Sequence, residues 1–232
     1  MNIKTVSSIE FLKWLRRMGE AVLDAVFPKR CVLCRRVIDP KTETGLCELC
    51  RWQDFVNEQP MEDSKIVRCG FVYEDQLQQA IYRMKYEGCR AYGQFFARWM
   101  YEEGAEWAAK MDFDRVVAVP LAKKRLKNRG YNQAEVMARE LARLCRVPYG
   151  ELLERVKDTR PQRGLSEELR RQNVNRAFAA RECELVPRRI CLVDDIYTTG
   201  STMAECIRVL REKWPGVEVY CWVLARRNIE RL

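Results

Sequence analysis

The sequence predicts an α/β fold, a mostly parallel sheet flanked by helices, with a small cysteine-bound segment ahead of it. Buried-strand patterns at 115–119, 189–193 and 217–224 alternate with helical patterns at 132–146 and Ser201–Lys213. Continuous apolar strands separated by helices belong to a parallel sheet covered on both faces. The stretch 28–60 is cysteine-rich and short of aliphatic residues, so it needs something other than a core to hold it. A length of 232 residues, 47% hydrophobic and 32% charged, suits one sizeable core plus an appendage and excludes wholesale disorder.

Taken in order, residues 6–26 place Val6, Ile9, Leu12, Leu15, Met18, Val22 and Ala25 at steps of three or four, with Lys13, Arg16 and Arg17 off that stripe. This predicts an amphipathic helix. Its modest basic content favours packing on protein over lying on a membrane. Beyond the cysteines, 67–73 reads as a strand, 76–86 and 92–107 as helices, and then the βα alternation sets in. The polar span 157–181 is too long for a routine connection and reads as a lid or binding segment. The expected organisation is an N-terminal helix (1–27), a metal-binding ribbon (28–60) and an α/β domain (61–232). The longest apolar runs, 116–122 and 219–225, reach seven residues, far short of the ~18–20 that cross a bilayer, so no membrane span is expected. The chain shows no secretory-leader pattern and an odd number of cysteines, which makes the cytoplasm the expected compartment.

The chain has no histidine, so Ser-His and Cys-His nucleophile pairs, imidazole bases and mixed Cys/His metal sites are all excluded. Of the 11 cysteines, Cys31-x-x-Cys34 and Cys47-x-x-Cys50 form two knuckles separated by twelve residues. Four thiolates close a tetrahedral site of the kind zinc takes in structural roles, with no position left for water. Redox or incidental cysteines are the alternative. Cys69, Cys89, Cys145, Cys183, Cys191, Cys206 and Cys221 are scattered, and Cys191 and Cys221 read as small core residues.

The most specific stretch runs from Arg189 through Asp194-Asp195-Ile-Tyr-Thr198-Thr199-Gly200-Ser201-Thr202. An apolar strand ends in two acids, and a hydroxyl-rich loop around one glycine then opens a helix. Backbone N–H groups at a helix start, hydroxyls and a glycine make an anion cradle, which points to a phosphate. The paired acids suit sugar hydroxyls, directly or through Mg2+. Neither a Gly-x-x-x-x-Gly-Lys-Ser/Thr nor a Gly-x-Gly-x-x-Gly motif occurs.

This segment resembles the 5-phosphoribosyl-1-pyrophosphate (PRPP) loop of type I phosphoribosyltransferases. The order of features along residues 20–227 resembles the ComF family of competence-associated, phosphoribosyltransferase-like proteins. The likeness includes the cysteine knuckles, Lys85-Tyr86, Pro120, Arg129-Gly-Tyr-Asn-Gln133, Thr159-x-Pro-Gln162-x-Gly-Leu165, Arg170-x-x-Asn173, Phe178 and Ala225-Arg226. Ala118 and Ser201 depart from it slightly. The resemblance implies a type I phosphoribosyltransferase fold behind a four-cysteine zinc ribbon. It implies that Asp194 and Asp195 hold the ribose hydroxyls and that Thr198, Thr199, Gly200, Ser201 and Thr202 hold the 5-phosphate. Leu121, Ala122, Lys123 and Lys124 would meet the pyrophosphate. Asp194, Asp195, Arg129 and Lys123 would be the catalytic positions, Mg2+ would accompany PRPP, and the segment around Arg170 and Asn173 would lie on or over the site.

The net charge of +9 is concentrated, since residues 111–190 carry 19 basic against 11 acidic groups, and Lys123–Arg129 holds five cations and no acid. Such a run is a solvated face, a site for a polyanionic small molecule, or a track for single-stranded DNA. The tentative nucleic-acid residues are Lys123, Lys124, Arg125, Lys127, Tyr131 and Arg170. The family resemblance implies DNA uptake in natural transformation. A PRPP-dependent transferase in nucleotide metabolism and a zinc-stabilised adaptor for other competence proteins are the alternatives.

Overall fold

The computed structural model describes residues 26–51, 66–157 and 176–227. The expected helix at 6–26 and the motif residues Thr159, Gln162, Leu165, Arg170 and Asn173 lie outside the described residues. The chain divides into two units, Met1–Gln53 and Asp54–Leu232.

In the first unit the chain folds back on itself, with Arg30 bridged antiparallel to Val37. Cys31 N–H donates to the Arg36 carbonyl (2.8 Å) and Arg35 N–H to the Cys31 carbonyl (2.9 Å). Arg35 takes a left-handed conformation (φ 66°) to close this turn. A one-turn helix, α1 (Glu48–Arg51), follows the second knuckle. Among the described residues of this unit, Val32, Leu33 and Ile38 are the buried aliphatic ones, too few for an ordinary core.

The second unit is built on β1 (Val67–Val72), β2 (Arg115–Ala118), β5 (Arg189–Tyr197) and β6 (Glu218–Arg226). They form one parallel sheet in the order β1-β6-β5-β2. A two-stranded antiparallel hairpin, β3 (Leu153–Arg155) with β4 (Phe178–Ala180), stands apart from it. The helices are α2 (Asp75–Tyr86), α3 (Tyr92–Met111), α4 (Lys123–Arg129), α5 (Gln133–Cys145) and α6 (Ser201–Lys213).

Side chains alternate across a strand, and the two faces have different covers. Val117, Ile190, Leu192, Val219, Cys221 and Val223 pack with Met203, Cys206, Val209 and Leu210 of α6 and with Leu153 and Phe178 of the hairpin. On the other face α3 packs on β1 and β6, α5 packs on β2 and β5, and the two helices touch each other. Gly104 of α3 lets that helix approach closely, because a Cβ there would run into the buried Trp222 ring. The apolar stripes explain the helices. Met137, Ala138 and Leu141 are the buried side of α5, and Leu77, Ala80, Ile81 and Met84 that of α2.

The helix expected at Ser201–Lys213 appears with those ends, while other expected elements have shifted ends. The helix expected at 92–107 runs on to Met111, and the strand expected to stop at residue 193 runs on to Tyr197. The turn expected at Leu121–Lys124 ends in a helix, because Lys123 already begins α4. No helix among the described residues is long and apolar enough to cross a membrane.

Candidate functional site

The carboxyl ends of all four parallel strands meet at one crevice of about 810 Å³. Tyr73 stands just after β1, Val119 and Pro120 after β2, Asp194–Tyr197 end β5, and Arg227 follows β6. Ligands of open α/β sheets bind in this place.

β5 delivers the two acids to opposite faces. Asp194 continues the register of Ile190 and Leu192, and Asp195 that of Cys191 and Val193. Asp195 is buried and forms an ion pair with the Lys85 ammonium of α2. Burial pushes its carboxyl up, and Lys85 more than offsets this, with help from the Arg129 charge, so that Asp195 sits below the usual carboxylate range. Asp194 goes the other way. Burial and then the neighbouring Asp195 charge push it well up, although its Oδ1 accepts the Asp195 N–H at 2.8 Å. The pair therefore carries one firmly ionised and one readily protonated carboxyl.

The loop beyond them turns at Gly200, whose φ of 74° lies in the left-handed region. A Cβ there would also meet the Tyr197 hydroxyl, so another residue would be strained in the backbone and would have to displace that side chain. Gly200 opens α6 without a capping side chain, and the start of the helix lines the crevice through Gly200, Thr202 and Met203. Thr198, Gly200 and Thr202 line it, while the Thr199 and Ser201 hydroxyls bond each other at 3.0 Å.

α4 forms the basic wall. Leu121, Arg125, Asn128 and Arg129 line the crevice. Ala122 is buried, and Lys123, Lys124 and Lys127 are exposed and are not among the lining residues. The helix hangs between two fixed points. Asn132 caps α5 by accepting from the Ala134 N–H (3.1 Å) and donates its Nδ2 to the Val119 carbonyl at the end of β2 (3.0 Å). Tyr131 is engaged as well, its hydroxyl donating to the Met84 carbonyl and its ring lying under Arg90 at 5.8 Å.

Sequence reasoning did not assign several crevice residues. Lys85 was visible only as half of a motif pair, and its role comes from α2 packing beside β5. Tyr73, Tyr82, Tyr86, Gln133, Arg155, Tyr197 and Arg227 also line the site. Arg155 comes from the β3–β4 hairpin, whose three-residue strands are too short to show an alternating pattern.

The other centre lies in the first unit. The Sγ atoms of Cys31, Cys34, Cys47 and Cys50 all fall within 4.8 Å of one another, and Cys34 and Cys47 are 3.6 Å apart. A tetrahedral ion with ~2.3 Å bonds to sulfur needs S···S edges of ~3.8 Å, so the cluster can hold one metal ion. Burial raises the Cys31 thiol, but backbone N–H groups of Cys47, Cys34 and Leu33 reach its sulfur and bring it down to about 7. Cys50, with burial and the other cysteines around it, is pushed up. A bound metal takes cysteine as thiolate, so metal binding and thiol deprotonation go together here. Cys191, Cys206 and Cys221 are buried in the second unit, with thiols raised by desolvation.

No protein-family model matches the chain. It is 44% identical over 117 residues to competence protein F of Haemophilus influenzae, covering 49% of this chain and 50% of that protein. It is 37% identical over 110 residues to the DNA utilization protein YhgH of Escherichia coli, 47% of this chain and 48% of that one. These proteins are its homologues. Competence protein ComFC of Streptococcus pneumoniae is 30% identical over 147 residues, covering 62% of this chain and 61% of that protein. The chain spans about half the length of the first two of these relatives. Among solved structures, orotate phosphoribosyltransferase from Aeropyrum pernix matches at 21% identity and a TM-score of 0.31, over 60% of each chain.

Proposed function

We propose that the crevice binds PRPP or a closely related sugar phosphate, and that the protein works in the handling of single-stranded DNA during natural transformation. One observation carries the ligand. An acid pair at the end of a parallel strand is followed directly by a glycine-opened helix, inside a crevice that also presents Lys85, Arg125, Arg129, Arg155 and Arg227. In this reading Asp194 and Asp195 take the ribose hydroxyls, the loop from Thr198 to Thr202 takes the 5-phosphate, and Mg2+ travels with the pyrophosphate. The names of the homologues support the role in competence and DNA use. The exposed cations Lys123, Lys124 and Lys127 supply a surface for the DNA backbone. Zinc is the ion that fits a closed, sulfur-only site, where it is structural.

Calorimetric titration with PRPP, with and without Mg2+, tests the site. Binding in the wild type and its loss in Asp194→Asn with Asp195→Asn is the expected result. Unchanged binding in that double variant removes the assignment.

The ionised Asp195 also favours turnover. When pyrophosphate departs from PRPP, the C1–O bond breaks with its electron pair and the sugar becomes cationic. In this reading a carboxylate kept charged by Lys85 and held on the ribose hydroxyls offsets that charge as it develops. Pyrophosphate release in the presence of a nucleobase acceptor reports this activity.

A further inference from the structure

A divalent cation that joins an acid pair to a ligand needs open carboxylate oxygens, and at the crevice floor these are already engaged. Asp194 and Asp195 are the carboxylates that line the crevice. Asp195 has 6% of its side chain accessible and is ion-paired with Lys85, while one oxygen of Asp194 accepts the Asp195 N–H at 2.8 Å. No third acid joins them. Among the described residues, the four cysteines are the group of three or more side chains close enough to share a metal ion. Mg2+ demands near-octahedral oxygen ligands at ~2.0–2.1 Å, and an ammonium held against the carboxylate repels it. The other charged residues lining the crevice, Arg125, Arg129, Arg155 and Arg227, are positive as well.

Lys85 is built into this position. It stands in the last turn of α2, where a cation meets the negative end of the helix dipole. Ile81 and Met84, both fully buried, seat that turn in the core, and the Met84 carbonyl accepts from the Tyr131 hydroxyl. The Lys85 side chain nevertheless keeps 17% accessibility and lines the crevice. An ammonium carries three N–H donors, so one can hold Asp195 while another is offered to an oxygen in the crevice. We propose that Lys85 is the resident cation of the acid pair: its ammonium bridges Asp195 to a ligand oxygen in the place a divalent metal would take, so that a sugar phosphate binds at the crevice floor without a metal ion. This rests on the sugar-phosphate reading of the site and adds to it which cation the acids use. The Mg2+ of that reading travels with the pyrophosphate, which ribose 5-phosphate lacks.

The test has two arms, both on the full chain with its cysteine cluster filled with zinc and with circular dichroism as the fold control. In the first, ribose 5-phosphate is titrated by calorimetry into wild type and Lys85→Met, in buffer without added divalent ions and again with Mg2+. Wild type should bind equally well in both buffers, within about twofold. Lys85→Met without Mg2+ should lose on the order of 10- to 100-fold in affinity, the range of one charge-assisted hydrogen bond. In the second arm, Mn2+ binding to the ligand-free protein is followed by electron paramagnetic resonance. Wild type should leave the Mn2+ signal unchanged, Lys85→Met should take up one ion, and Asp195→Asn added to Lys85→Met should abolish that uptake. Ribose 5-phosphate binding that needs Mg2+ in the wild type overturns the proposal. So does Mn2+ uptake by the wild type that Asp195→Asn removes, and so does a Lys85→Met protein with unchanged affinity or with no Mn2+ uptake. If Lys85→Met does not fold, the wild-type measurements of both arms decide. If ribose 5-phosphate does not bind the wild type in either buffer, the sugar-phosphate reading fails, and the Mn2+ arm alone decides whether Lys85 fills the cation position.

Discussion

Replacing Lys85 with methionine keeps the unbranched side chain up to the ε position and removes the ammonium group with its charge. Asp195, with 6% of its side chain accessible, is then left as a buried carboxylate whose remaining cationic help is the more distant Arg129. Breaking a buried pair by removing one partner costs ~3–5 kcal/mol. The lower end applies, because the Lys85 side chain is 17% accessible and Arg129 stays. A loss of ~3 kcal/mol lowers Tm by roughly 6–12 °C for a unit of this size. The pH dependence identifies the cause. In the wild type the Asp195 carboxyl is depressed on folding, so its contribution is present above the unfolded value of ~3.9 and fades as pH falls through the lower folded value. In Lys85→Met, burial is no longer offset by the Lys85 charge and raises the folded value instead. The penalty is then absent below ~4 and grows as pH rises. Thermal and urea unfolding at pH 4 and pH 7.5 should therefore show a clearly larger deficit at the higher pH, where the variant's burial penalty adds to the lost wild-type contribution, and Asp195→Asn added to Lys85→Met should remove that added penalty. An equal deficit at both pH values, or no recovery in the double variant, would refute the buried ion pair as the organising contact of the acid site.

Gly200→Ala should cost ~1–2 kcal/mol in left-handed backbone strain and weaken PRPP binding at least tenfold by pushing Tyr197 and the loop apart; native stability with native affinity counts against the cradle. Metal analysis of purified protein should give one zinc per chain, and none in Cys31→Ser with Cys34→Ser. Changing Lys123, Lys124 and Lys127 together to glutamine should weaken single-stranded DNA binding and flatten the plot of log K against log salt by roughly 2, at ~0.7 per lost phosphate contact. An unchanged slope would move the DNA surface elsewhere.

Sequence pattern was informative where local chemistry decides structure. Ser201–Lys213 appears with the ends its pattern suggested, because Gly200 marks its start and Met203, Cys206, Val209 and Leu210 repeat at helical spacing. The cysteine knuckles converge as their spacing required. Pattern failed where a distant residue decides. Two adjacent aspartates look like the end of a strand, yet β5 continues because Ile196 and Tyr197 keep pairing with Ala225 and Arg226. The burial of Asp195 depends on a lysine from another element, which no local window contains. Lys123–Arg129 left a solvated face, a polyanion site and a DNA track open, because like charges conceal a helix. The structure sorts that run into Arg125 and Arg129 facing the crevice and three lysines facing out.

The bond from Asn132 to the Val119 carbonyl gives the basic segment an unusual freedom. It pins the exit from β2 and the entry to α5 together, so everything from Pro120 to Tyr131 is a closed detour from a junction that is already secured. Within the detour Ala122 is buried and Tyr131 is tied to Met84, but the lysines at 123, 124 and 127 are exposed. Their charge can therefore change while the sheet stays in register.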